Sequence, residues 1–159
     1  MPTQTFASVN DGIKYFVGKY KNDLVSALSG SGIYFAVAVG QKCTESGFGT
    51  SDLATKYNNF GGIMNFGSLP NAGTVTLGGK HYATFATPKD CFIEYVNILK
   101  DPTKKYISKG LLNASTPQGQ LLAIANGGYC EAPPPGQYYT QVVKMVDKCL
   151  GIYSIGKIS

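Results

Sequence analysis

One carboxylate in this sequence stands where a purely structural role is costly. Glu45 closes an apolar segment within Gln41-Lys42-Cys43-Thr44-Glu45-Ser46-Gly47-Phe48-Gly49. Burial in such surroundings disfavours the charged form and raises a carboxyl pKa. A raised pKa suits a general acid, which holds a proton near neutral pH and hands it to a leaving oxygen. Gly47 and Gly49 allow a sharp backbone turn behind Glu45 and leave room for a substrate. A carboxylate that points into water from a helix end is the plain alternative, and these residues alone leave both open.

The other reactive side chains point elsewhere. Cys43, Cys91, Cys130 and Cys149 form no C-x-x-C pair, and His81 is the single histidine. Zinc sites draw about four ligands from short paired spacings, so no metal site and no cofactor are expected. Cys43 and Cys91 fall on apolar helix faces and read as buried thiols. Pairing either with His81 as nucleophile and base is the weaker reading.

Helices must position Glu45. Ile13, Phe16, Val17, Tyr20, Leu24 and Leu28 recur at helical spacing, with Gly30 as a stop. Ser31 can cap a second helix from about 33 to 45, ended by Gly47. Its first half, 33–40, is apolar nearly all round, as expected of a central buried helix. A short helix follows over 51–57. The run Thr74-Val75-Thr76-Leu77-Gly78-Gly79, continued by 80–85, reads as a β-hairpin with a glycine turn. Thr87-Pro88-Lys89-Asp90 resembles a capping box that opens a helix with Phe92, Tyr95, Val96 and Leu99 on its buried face. Shorter helices are expected over 104–112 and 117–125. After Pro133-Pro134-Pro135-Gly136, a last helix buries Tyr139, Val142, Val143, Val146 and Leu150. The pattern predicts a mainly helical domain with one small β insertion.

Composition narrows the function classes. The 159 residues suit one compact domain, and 43% hydrophobic content excludes intrinsic disorder. Only 14% of residues are charged, yet the net charge is +5, which favours an anionic partner such as nucleic acid, an acidic membrane surface or an acidic wall polymer. Every basic residue is Lys. Without Arg, the usual bidentate reader of phosphate and guanine, a nucleic-acid partner is not expected. The lysines are scattered and read as a solvated face. No stretch is long and apolar enough to span a bilayer, and Met1–Thr5 lacks the basic and apolar regions of a secretory signal.

The segment Val39–Ser51 resembles the A-Q-x-x-x-E-S-G-W-G-x-S signature of glycoside hydrolase family 73. These are flagellar-type endo-β-N-acetylglucosaminidases of peptidoglycan, within the lysozyme-like superfamily. The resemblance continues through Leu53-Ala54 and Tyr57-Asn58-Asn59-Phe60-Gly61-Gly62-Ile63, where the family has N-N-x-F-G-I-K. It resumes at Tyr82–Pro88 and at Phe92, Tyr95 and Leu99, and ends at Gly128-Tyr129, similar to the start of G-Y-A-T-D-P. It covers most of the chain, with the motifs in family order. It implies a mainly α (α+β), lysozyme-like helical domain over 1–159, with a central buried helix and one small β-hairpin.

The resemblance also implies roles. Glu45 matches the catalytic general acid, and Tyr129 matches a tyrosine lining the sugar cleft opposite it. Tyr57, Asn58, Asn59 and Phe60 match the segment that shapes the groove floor, although Tyr57, Phe60 and Tyr129 also fit as core aromatics. Phe48, in place of the family's Trp, and Thr76, on the hairpin strand, complete the expected substrate-facing set. Ala83 replaces an Arg. The largest departure is in the hairpin: many members carry a second acid there, whereas this chain has no Asp or Glu between Asp52 and Asp90.

Glycoside hydrolysis normally uses two carboxylates. Three routes stay open: the substrate's 2-acetamido oxygen as nucleophile, a water positioned by Glu131 or Asp52, or an anhydro-sugar product as in lytic transglycosylases. The implied activity is cleavage of the β-1,4 bond after N-acetylglucosamine in the glycan strands of peptidoglycan. A muramidase or lytic transglycosylase with the same acid is the alternative enzyme. A non-catalytic wall-binding or virion structural domain of the same fold is the alternative from another class. Action on the cell wall outside the cytoplasm, without a signal, implies release by a phage, carriage in a virion or a specialised secretion apparatus.

Overall fold

The computed structural model describes residues 4–130 and 133–159. Six α-helices and one hairpin follow in the order α1 (Val9–Leu28), α2 (Phe35–Ser46), α3 (Asp52–Tyr57), β1 (Gly73–Leu77), β2 (Lys80–Thr84), α4 (Pro88–Lys100), α5 (Pro117–Asn126) and α6 (Pro135–Ile152). The helix starts follow local chemistry. Ser8, Ser51, Thr87 and Thr116 each accept a hydrogen bond from a backbone N–H in the first turn of the helix they precede, relieving donors that lack an intrahelical partner.

α2 is the hub. It packs most extensively on α6 and also touches α1 and α5. Ten of its side-chain positions, from Phe35 to Cys43 and at Ser46, are buried. Gly40 permits the close approach of α6: a Cβ there would lie 2.6 Å from Val146 Cγ2 and 3.2 Å from the Val146 backbone nitrogen. Gly47 ends α2 in the left-handed region at φ 56°, and its N–H bonds back to Cys43 O. Against α1, Phe16 and Tyr20 meet Phe60 and Phe92 in an aromatic cluster with ring centroids 4.8 to 6.3 Å apart. Each such pair contributes about 0.5–1.5 kcal/mol beyond its area.

β1 and β2 pair antiparallel from Gly73↔Thr84 to Leu77↔Lys80, and Gly78 and Gly79 turn between them at φ 57° and 77°. The 59–67 loop adds itself to β2 through Ala83 N to Ile63 O (2.8 Å) and Asn65 N to His81 O (2.9 Å). Two buried asparagines brace that loop. Asn59 donates to Ile63 O and Ala83 O and accepts from the N–H groups of Gly61 and Ile63. Asn65 donates to Ala72 O and Gly73 O and accepts from the N–H groups of Gly67 and Leu69.

The structure departs from the sequence pattern in four places. Residues 104–112 form a bend and turns rather than a helix, and Gly110 at φ 102° breaks the run. Ser31 does not cap α2. Its hydroxyl accepts from Ile33 N, whereas the Tyr34 N–H is received by buried Gln120. On α6 Val142 and Val146 are buried as expected, but Tyr138 and Cys149 complete the buried face, with Tyr139, Val143 and Leu150 only partly buried. Lys42, read as part of a solvated face, is fully buried.

Cys43, Cys91 and Cys149 are buried thiols. Burial pushes Cys91 up to about 11 and Cys149 to about 12. His81 lies exposed on β2 against Thr76 and Phe66, so a Cys–His pair is not assembled. No helix among the described residues is long and apolar enough to cross a membrane.

The α2–α6 crossing gives a direct test. Gly40→Ala should lower unfolding stability by about 1–3 kcal/mol, read from the urea midpoint, because Val146 cannot retreat without its helix.

Candidate active site

Glu45 sits in the last turn of α2, where the carbonyl ends of the helix disfavour a carboxylate. Its side chain keeps 16% of its exposure, so it is recessed but reachable. Oε1 lies 3.3 Å from Lys42 Nζ and accepts from the Tyr129 hydroxyl at 3.4 Å. Oε2 accepts from the Tyr138 hydroxyl at 3.4 Å. Burial pushes the Glu45 carboxyl above its ordinary value, while Lys42 and the two phenols pull it back.

Lys42, one turn earlier on α2, is completely enclosed. Its three N–H donors meet Glu45 Oε1, the Tyr129 hydroxyl at 3.2 Å, and the face of Tyr95, whose centroid is 3.9 Å away. Beneath this layer lies Gln41, also fully buried. It accepts from Tyr95 Oη at 2.5 Å and donates to Tyr138 Oη at 2.8 Å. Four elements therefore converge on one carboxylate: α2, α4 through Tyr95, the α5–α6 connection through Tyr129, and α6 through Tyr138.

A cavity of about 420 Å³ opens beside this cluster, lined by Gly61, Ile63, Met64, Tyr106 and Tyr129 among others. It shares Ile63, Met64, Ile98 and Lys104 with a second cavity of about 640 Å³. That one shares Leu69, Glu94 and Asn97 with a third of about 430 Å³ that reaches Phe85. Together they form a run of concave surface along α4, with Tyr129 and Gly61, the neighbours of Glu45, at one end. An elongated ligand fits such a surface better than a compact one does.

Of the residues singled out from sequence, Glu45 and Tyr129 are brought together. None of Tyr57–Phe60 lines the three cavities. Phe60 is a core ring of the aromatic cluster. Asn59 is buried and committed to backbone partners, and Asn58 ends α3 with its amide on Phe85 O. Tyr57 is partly buried, and its carbonyl accepts from Phe85 N. The next residues, Gly61–Met64, line the cavity instead. Phe48 packs edge-on against Phe6 at 5.4 Å, over Gly12. Thr76 is exposed on the hairpin, 3.1 Å from His81 Nδ1. Asp52 is 55% exposed and faces Lys56 at 3.8 Å, while Glu131 lies outside the described residues.

Lys42 and Tyr138 have no site role in the sequence pattern, and Tyr95 enters there only on a buried helix face. A lysine inside a helix apolar nearly all round was the available signal for Lys42. For Tyr138, it was the 138-142-146-149 spacing.

The sequence profile of the Glucosaminidase family, described as "Mannosyl-glycoprotein endo-beta-N-acetylglucosaminidase", matches residues 21–150. No curated protein sequence matches the chain significantly. Among solved structures, the glycoside hydrolase domain of FlgJ from Salmonella typhimurium is similar at 18% identity, with 88% of this chain and 89% of that chain covered and a TM-score of 0.68. A type VI secretion system effector-immunity complex from Pseudomonas protegens is similar at 16% identity, coverages of 88% and 92%, and TM-score 0.68. A peptidoglycan hydrolase mutant from Sphingomonas sp. A1 follows at 16% identity, coverages of 83% and 91%, and TM-score 0.66. At these identities the likeness is one of fold: a lysozyme-like α+β architecture.

The buried polar layer predicts its own cost. Gln41→Leu removes a partner from both Tyr95 and Tyr138 and should destabilise by about 2–4 kcal/mol, seen as a lower urea midpoint with an unchanged slope.

Proposed function

Because the chain belongs to the Glucosaminidase family and is a glycosidase, we propose that it cleaves the β-1,4 bond after N-acetylglucosamine in peptidoglycan, with Glu45 as general acid. The observation that carries this reading is the recessed carboxyl of Glu45, pushed upward by burial, beside a tyrosine that lines an elongated cavity. The solved peptidoglycan hydrolase of similar fold supports the choice of polymer.

In this reading the glycan strand lies along the groove, with the scissile bond over Glu45. The Glu45 proton passes to the glycosidic oxygen as the C–O bond breaks, and the electron pair of that bond goes to the leaving oxygen. The partly exposed ring of Tyr129 suits the apolar face of a sugar ring. Asp52 lies exposed against Lys56, which favours the substrate's own 2-acetamido oxygen as the second group, an exception to the two-carboxylate scheme. The Glu45 carboxylate left behind is then the base that takes a proton from water when the intermediate is hydrolysed. The proposed unit is the single domain 1–159, acting on the cell wall. The type VI effector of similar fold supports delivery by a secretion apparatus, with phage release as the other route.

The test is a digest of purified sacculi with the released fragments weighed. Wild type should release fragments with reducing N-acetylglucosamine ends, and Glu45→Gln should fall by about 10²–10⁴-fold. Muramic or anhydro-muramic ends would instead mark a muramidase or transglycosylase, and binding without release a wall-binding module.

A further inference from the structure

A fully buried lysine beside a recessed acid is an unusual arrangement, since lysine is almost never enclosed unless paired. Several features commit the Lys42 ammonium to Glu45. It sits 3.3 Å from Oε1, and its other contacts are the Tyr129 hydroxyl and the Tyr95 ring face. The backbone opposite is kept bare for it. A Cβ on Gly61 would stand 2.7 Å from Lys42 Nζ and 3.4 Å from Glu45 Oε1. The φ of Gly61 is not in the left-handed region, so a side chain added there would meet the ammonium without straining the backbone.

We propose that Lys42 is the built-in counter-ion of Glu45, a positioning residue whose ammonium stabilises the carboxylate formed when the Glu45 proton passes to the glycosidic oxygen. The proposal rests on the glycosidase reading above and adds to it the group that governs when the acid is loaded. Without a cation, two influences favour keeping the proton: desolvation and the carbonyl end of α2. An acid held by both would be protonated readily but would release its proton reluctantly. Lys42 opposes both, and its charge interacts with the carboxylate but hardly with the neutral acid. Its stabilisation therefore grows as the proton leaves, which is the condition for lowering a barrier rather than only tightening a ground state.

The other groups facing Glu45 do not supply this charge. They are Tyr95 and Cys91 from α4, Tyr106 from the 101–116 turns, Tyr129 from the α5–α6 connection and Tyr138 from α6. Burial pushes all five upward, so they stay neutral and act as donors or walls. Among the described residues facing Glu45, Lys42 is the cation.

The test is the pH profile of kcat on sacculi for Lys42→Met, with Lys42→Arg as the charge-retaining control. Glu45 must be protonated to act, so activity declines on the alkaline side as it ionises. A carboxyl without its counter-ion holds its proton to higher pH. Lys42→Met should therefore move the alkaline limb to higher pH and lower the plateau kcat by roughly tenfold or more, with KM changed about twofold or less. Lys42→Arg should keep the limb near its wild-type place. Removing one partner of a buried pair also costs stability, so the unfolding midpoint of each variant is measured first. Gly61→Ala offers a second route, since its Cβ pushes the ammonium off Glu45 without deleting it, and the limb should move the same way. Folded variants that keep the wild-type limb and plateau would overturn the proposal. Full activity in Glu45→Gln would instead overturn the glycosidase reading beneath it.

Discussion

Everything around the site depends on placing a carboxyl group at the carbonyl end of a buried helix. That position is hostile to negative charge twice over, from low solvation and from the helix end itself. The fold answers with a layered polar cluster. Lys42 and the hydroxyls of Tyr129 and Tyr138 reach the carboxyl directly, and Gln41 ties Tyr95 and Tyr138 together from below. Among the described residues no buried side-chain nitrogen or oxygen lacks a hydrogen-bond partner. Such completeness is what makes a polar core tolerable, because one orphaned donor in this medium costs as much as several good contacts return.

The same requirement explains the topology. α2 must be enclosed on nearly every side to hold Glu45 in a poorly solvated place, so α1, α5 and α6 all pack on it. α4 contributes differently. It reaches the cluster through Tyr95 while its other faces border the cavities, through Ile98 in one and Glu94 and Asn97 in the next. One helix thus braces the carboxyl and walls the space in front of it, so the orientation of the acid and the shape of the groove are coupled by covalent connection.

Much of this is legible in the amino-acid sequence. Helical spacing in α1 and the Thr87 cap in α4 are local signals, and local hydrogen bonding honours them in the structure. The Glu45 motif was legible through its resemblance to a family. The lysine was not, because a lysine on a helix is ordinarily solvated; only the all-round enclosure of α2 denies it water, and enclosure is a tertiary fact. The buried face of α6 was legible only in Val142 and Val146, for a related reason. Tyr138 and Tyr139 are adjacent aromatics, and which of them turns inward depends on the angle at which α6 crosses Gly40. The groove wall was displaced by a few residues because Asn59 and Phe60 look suited to bind sugars but are consumed in bracing and packing the loop.

That bracing has a thermodynamic consequence. The 59–73 loop carries no long secondary structure of its own, yet Asn59 and Asn65 each hold several backbone groups in place, doing with amide side chains what neighbouring strands do elsewhere. Its conformational entropy is surrendered when the chain folds, not when a polymer arrives. A long, floppy ligand already loses much freedom on being laid straight. On the proposed reading, a groove whose rim is frozen in advance asks for no second loss from the protein, and leaves more of the contact energy for holding a strand in register.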